Sequence, residues 1–297
     1  MELGIVGKTP AEPDFVRHGA EGAHATLLRW TWDALASAPS LAMPASGLRF
    51  VWHAPELGER ALLGVMVPSR DRVGRAFPLI AAWATRASSL GAAWPAAPVA
   101  WRDALGTLRA ALLRVVQGEL SLDRVASIAP PPPHGALQAA AVRARDGWRG
   151  ATAAEFHERC FGDRDADLAC YGHHALQHAC AQSAAAELAL SCPAVLPSDA
   201  ALWLELVRAL RPASARMPSF AWTVGSDARL LVSPGTPPHE LLASACGAAP
   251  GARVWPLTTD RRSAIDAARA RLGGWLPRGA QPMSALIDAA GTMRGAR

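Results

Sequence analysis

Three apolar runs joined by short connections constrain this fold more than any other feature of the chain. They are "LRFVWH" (Leu48 to His53), "ALLGVMV" (Ala61 to Val67) and "FPLIAAW" (Phe77 to Trp83). Turn residues bound each run, which is the pattern of strands. A parallel crossover takes roughly a dozen residues or more, so such short loops require antiparallel neighbours. "LGIVG" (Leu3 to Gly7) reads as a further short strand that ends on glycine. From Ala23 to Ser37, Leu28, Trp32 and Leu35 stand at helical spacing. Val99 to Gly118 carries Leu105, Leu108, Leu112, Leu113, Val115 and Val116, an amphipathic helix that stops at Gly118. The expected class is α/β (α+β): a central, mainly antiparallel sheet flanked by helices.

"APPPPHG" (Ala129 to Gly135) divides the chain, because consecutive prolines favour an extended form that joins neither neighbour's core. The expected organisation is an α/β domain over 1–128, a Pro-rich linker over 129–135, and a more helical half over 136–297. In that half, helices are expected over Asp165 to Leu190, Ser198 to Leu210, Pro238 to Cys246 and Asp260 to Leu272. One hairpin, "FAWTV" to "RLLVS", interrupts them and is placed to extend the first sheet, so the halves are open to sharing one core. No repeat of fixed period is present.

At 297 residues and 51% hydrophobic, the chain does not lack core-forming material. Its net charge of +5 is dispersed from Arg17 to Arg297, unlike the concentrated basic face of a nucleic-acid binder, so no nucleic acid is expected as a partner. Lys8 is the single lysine, and with the abundant alanine this points to GC-rich coding; many arginines then reflect codon usage. Glu2 stands where a signal peptide would be basic, and no window reaches the ~18 apolar residues of a membrane span. The expected location is cytoplasmic. The five cysteines then read as free thiols packed as small apolar groups.

"GIVGKTP" has the end of a phosphate loop but not its beginning. The first glycine of G-x-x-x-x-G-K-[ST] is replaced by Glu2, and Pro10 and Pro13 spoil the helix that must follow. A second cluster holds Cys160, Cys170, His174, His178 and Cys180. His174 and His178 are four apart and share a helix face, as a zinc pair must, and Cys170 joins them. No C-x-x-C accompanies them, and the Glu of H-E-x-x-H is absent. A zinc-dependent hydrolase is the competing reading there; the plain one is a helix with half-buried thiols and exposed imidazoles. Asp163 to Asp167 resembles half a calcium loop without its glycine or distal glutamate, and reads as a solvated helix start. No G-x-S-x-G elbow occurs, and Ser69 could meet a histidine such as His53 only through the fold. No catalytic, metal-ligating or cofactor-binding residue is assigned.

Between two apolar strands lies a knot, Pro68-Ser69-Arg70-Asp71-Arg72-Val73-Gly74-Arg75, with four charges in six positions. Asp71 can accept hydrogen bonds from loop amides and pair with Arg70 or Arg72, giving a self-bracing turn. Equally, Arg70, Arg72 and Arg75 can form a recognition loop for an acidic or phosphorylated partner. The residues alone leave both readings open.

The knot has company. "GIVGKTPAEPDFVR", Trp32-Asp33, "LRFVW" and "GVMVPSRDRVGRAFPL" follow in order over the first 85 or so residues. This arrangement resembles the N-terminal region of the TagF (ImpM) family of type VI secretion-associated proteins, with its G-K-x-P-x-x-x-D-F-V and P-S-x-D-x-x-G-R-x-F-P-L blocks. "CP" (Cys192-Pro193), "LWLEL", "PSFAW" and "RLLVSPGTP" are similar to the family's C-terminal half. Departures fall at Ile5-Val6, where an aromatic pair is usual, at Pro13 before the D-F, and at Ala34-Leu35, where a second tryptophan is usual. The resemblance implies a cytoplasmic regulator rather than an enzyme. Some members repress assembly of the secretion machine after translation, with a forkhead-associated scaffold protein and alongside threonine phosphorylation. The family's phosphatase fusion has no counterpart here. The motif residues are Lys8, Asp14, Phe15, Ser69, Arg70, Asp71, Arg72, Gly74 and Arg75. The expectation is that opposite charges from the two segments form one cluster, that Asp71 and one arginine brace the loop, and that the other basic groups, Lys8 among them, face the partner.

Overall fold

The computed structural model describes residues 2–38, 41–131, 134–162, 167–182, 186–225, 228–249 and 251–295. The first half runs β1 (Glu2–Gly7), β2 (Val16–His18), α1 (Gly22–Ala36), β3 (Leu48–Trp52), β4 (Arg60–Val67), β5 (Leu79–Arg86), α2 (Ala97–Ala100), α3 (Arg102–Val116) and α4 (Leu122–Ala126). The second half runs α5 (His134–Gly150), α6 (Ala153–Phe161), α7 (Asp167–Ala181), β6 (Ala189–Pro193), α8 (Pro197–Leu210), β7 (Ser219–Trp222), β8 (Arg229–Ser233), α9 (Glu240–Ala245), β9 (Val254–Pro256), α10 (Arg262–Leu272) and α11 (Ser284–Gly295).

One nine-stranded sheet takes strands from both halves, in the order β2-β1-β5-β4-β3-β7-β8-β6-β9. Every pairing is antiparallel except β6 with β9. The α/β class, the central antiparallel sheet and the more helical second half are therefore present. The β7–β8 hairpin does extend the first sheet, with Arg49 opposite Trp222 and Val51 opposite Phe220.

Both faces of the sheet are covered, which is why its central strands read as unbroken apolar runs rather than alternating ones. Successive side chains point to opposite faces. Leu63, Val65, Leu79, Ala81 and Trp83 lie in the larger core with α3, α5, α7 and α8. Leu62, Met66, Ile80, Phe50 and Trp52 lie in the smaller core with α1 and α9.

Several expectations are corrected. The helix expected over 165–190 ends at Ala181, and Ala189–Pro193 is a strand; residues 163–166 and 183–185, which include most of the acidic run, lie outside the described residues. α5 begins at His134, inside the expected linker, of which residues 132–133 are not described. Trp32 is not on the buried face of α1. Leu27, Leu28, Thr31 and Ala34 are, and Trp32 is 53% exposed. The residue spacing admits either stripe, and the sheet selects the narrower one made of smaller side chains.

Candidate functional site

Strand register assembles the two motif segments. Gly7 on β1 pairs with Leu79 on β5, and Leu79 pairs on its other side with Val67 on β4. Lys8 and Pro68 thus leave the sheet at the same edge. Gly7 makes this turn possible: its φ is +128°, and a Cβ there would lie 2.1 Å from the Pro78 carbonyl oxygen.

Lys8 then turns inward. Its ammonium donates to Asp71 Oδ2 at 3.0 Å and lies 5.2 Å from the centroid of the Phe15 ring. Arg75 Nε donates to the same carboxylate oxygen at 2.6 Å. Asp71 Oδ1 accepts the backbone amides of Val73 at 3.1 Å and Arg75 at 2.8 Å. Ser69 Oγ donates to the Lys8 carbonyl at 2.7 Å, and the Arg72 amide donates to the Glu12 carbonyl at 2.9 Å. Arg75 Nη2 reaches the Pro13 carbonyl at 2.7 Å. Gly74, at φ +91°, closes the turn by donating its amide to the Asp71 carbonyl.

Asp71 is buried, and burial pushes its carboxyl upward. The hydrogen bonds from Lys8 and from the Arg75 amide and guanidinium outweigh that, and hold it well below the usual carboxylate range. It is an ionised acceptor at the centre of the loop.

The structure therefore joins Lys8, Ser69, Asp71, Arg72, Gly74 and Arg75 into one frame. The bracing arginine is Arg75, not Arg70 or Arg72. Lys8 is only 5% exposed, so it belongs to that frame rather than to an outward surface. Asp14 forms no ion pair among the described residues and accepts the Phe15 amide at 2.8 Å. Phe15 packs edge-on against Phe77 with centroids 4.8 Å apart, and Trp32 lies 5.7 Å from Phe15. Arg70 and Arg72 are exposed, as is Val73 at 66%. Neither Arg70 nor Arg72 forms an ion pair among the described residues. Sequence reasoning missed the aromatic trio, because Phe15, Trp32 and Phe77 come from three separate segments that only the fold brings together.

The other candidates separate in space. Among the described residues Ser69 has no histidine partner: His53 is bonded to the Met217 and Gly58 carbonyls at the far end of the sheet. In the Cys/His cluster, His174 meets Arg271 at 3.3 Å and His178 stacks on Trp255 with centroids 5.6 Å apart. Cys160, Cys170 and Cys180 are buried free thiols. Burial raises the thiols of Cys160, Cys170 and Cys192, and pushes Cys246 up to about 12, the reverse of what a nucleophile or thiolate ligand needs. Among the described residues no group of three His, Cys, Asp or Glu side chains is placed to hold a metal ion, and no helix is long and apolar enough to cross a membrane.

The fold and loop define an α/β protein whose signature residues build a braced turn at a sheet edge. Residues 4–129 match the TagF N-terminal domain family, described as type VI secretion system-associated. Both sequence blocks that carry the resemblance lie inside this match, which ends just before the proline run. Among solved structures the chain is similar to the crystal structure of PA0076 from Pseudomonas aeruginosa PAO1, with 20% identity over 82% of this chain and 93% of that one and a TM-score of 0.46. No curated protein matches the chain.

Proposed function

We propose that this protein is a non-enzymatic regulator of the bacterial type VI secretion system, a post-translational repressor of its assembly that acts in the cytoplasm by binding a forkhead-associated scaffold protein. The observation that carries this reading is the lock between Lys8, Asp71 and Arg75. It spends the loop's buried charges on holding its own shape and leaves Arg70 and Arg72 free at the rim beside exposed Val73. A rigid loop presenting unpaired arginines is suited to an acidic or phosphorylated surface, because guanidinium forks bind carboxylate and phosphate with two bonds each. Arg75 contributes its remaining exposed edge to the same rim.

The test is a titration of the purified scaffold with wild-type protein and with Arg70→Glu/Arg72→Glu. Affinity should fall by about tenfold or more, while the melting curve stays unchanged because neither side chain holds the frame. Equal affinity would remove the loop from the interface. Deletion of the gene should raise secreted effector levels; a fall would reverse the assigned direction of regulation.

A further inference from the structure

A cleft of about 860 Å³ opens at the end of β4 and β5 opposite the braced loop. Eight residues at roughly 3.3 Å each put about 25 Å between the two. One wall is formed by Gly58, Glu59 and the segment from Ala87 to Trp94; the other by Arg208 to Met217 and by Arg294. The volume falls within the ~300–1,000 Å³ of ordinary small-molecule sites.

Four arginines line it, and they are not equivalent. Arg208 is neutralised by Glu205, to which it donates twice, at 2.9 and 2.7 Å. Arg211, Arg216 and Arg294 are held only by main-chain carbonyls. Arg211 donates to the carbonyls of Arg216 at 2.7 Å and Pro234 at 2.6 Å. Arg216 donates to the Gly58 carbonyl at 2.5 Å, and Arg294 to the Arg211 carbonyl at 3.2 Å. Arg211 and Arg294 are thus bonded to the backbone of the Arg211–Arg216 segment and Arg216 to that of Gly58, yet among the described residues none of the three forms an ion pair. Arg211 is also buried, at 6% exposure. Burial pushes its pKa down, the cost of keeping a cation out of water without a counter-charge.

We propose that this cleft binds a small polyanion of the phosphate or polycarboxylate class, gripped by Arg211, Arg216 and Arg294. Each guanidinium has five N–H donors, and the carbonyl contacts leave most of them unused. The lining sets four guanidiniums against the Glu59 carboxylate, which leaves a net positive potential focused on its interior that an anion relieves. Trp94 and Met217 supply apolar wall beside the charges.

The experiment is calorimetric titration of the full chain with inorganic pyrophosphate and, separately, with citrate, at a fixed ionic strength of about 0.15 M so that diffuse surface charge is screened. At least one of the two should bind at a single site. Arg216→Gln/Arg294→Gln should weaken that binding by about tenfold or more, and Arg72→Gln on the distant loop should leave it unchanged. Arg211 is kept because it braces the backbone. If the double variant does not fold, Arg294→Gln alone should still weaken binding at least about threefold. No binding of either anion, full binding by the folded variants, or equal weakening by Arg72→Gln would each overturn the assignment.

Discussion

The Lys8 ammonium and the Asp71 carboxylate meet at 3.0 Å although 63 positions separate them in the chain. Both side chains are buried, so each is the other's main compensation for leaving water. Removing one partner of such a pair costs far more than an exposed pair is worth. Lys8→Met should lower the melting temperature by on the order of 10 °C. Lys8→Arg, which keeps the charge, should lose less than half of that. A calorimetric melt decides it; an unchanged transition in Lys8→Met would make the pair ornamental.

Lys8 is also the single lysine of the chain. An amine-reactive ester should therefore leave it unmodified in the native protein and modify it fully after denaturation. Mass spectrometry of the peptide that contains Lys8 reads the outcome. Rapid native labelling would mean that the ammonium faces solvent, and the braced turn would need redrawing.

Two glycines of this site should respond differently to a methyl group. At Gly7 a Cβ meets the Pro78 carbonyl oxygen at 2.1 Å, and the backbone that would have to move belongs to the β1–β5 ladder. At Gly74 the same Cβ enters open space, and only the left-handed backbone is strained. Gly74→Ala should cost about 1–2 kcal/mol and Gly7→Ala clearly more, with loss of folded yield. Denaturant titration of both variants gives the comparison; equal costs would show that the close approach at Gly7 relaxes freely.

Much of this was legible beforehand. β3 and β4 showed themselves as apolar runs because both their faces are covered, and the knot between β4 and β5 showed itself as charge where no charge belonged. What stayed hidden depends on partners distant in sequence. Nothing local says that Arg75 rather than Arg70 reaches Asp71, since that follows from Gly74 reversing the chain and bringing the Arg75 amide and side chain back together. α5 was hidden for another reason: its buried stripe is Leu137, Ala140, Ala141, Ala144 and Trp148, mostly methyl groups, which composition does not distinguish from its exposed alanines. The three arginines of the far cleft lie in "RPASAR" and near the chain end, in stretches with no motif at all.

His173 gives the acid side of the stability curve. It sits in the core against Trp203, with ring centroids 5.2 Å apart, and against His157 at 5.7 Å. Burial, followed by the neighbouring His157, lowers its pKa to about 3. The folded protein therefore keeps this imidazole neutral, while the unfolded chain protonates it near the ordinary value of about 6.5. Between those values the unfolded state binds more protons, so stability falls as the pH falls, by about 1.4 kcal/mol per pH unit for this one group. The contribution is intact above pH 6.5 and is lost progressively down to about pH 3. From pH 6.5 to pH 5 the loss should be about 2 kcal/mol by urea denaturation. His173→Gln, which does not titrate, should flatten that part of the curve even if it is less stable at neutral pH. A variant whose stability still declines with the wild-type slope over that interval would show that His173 is not the group being protonated.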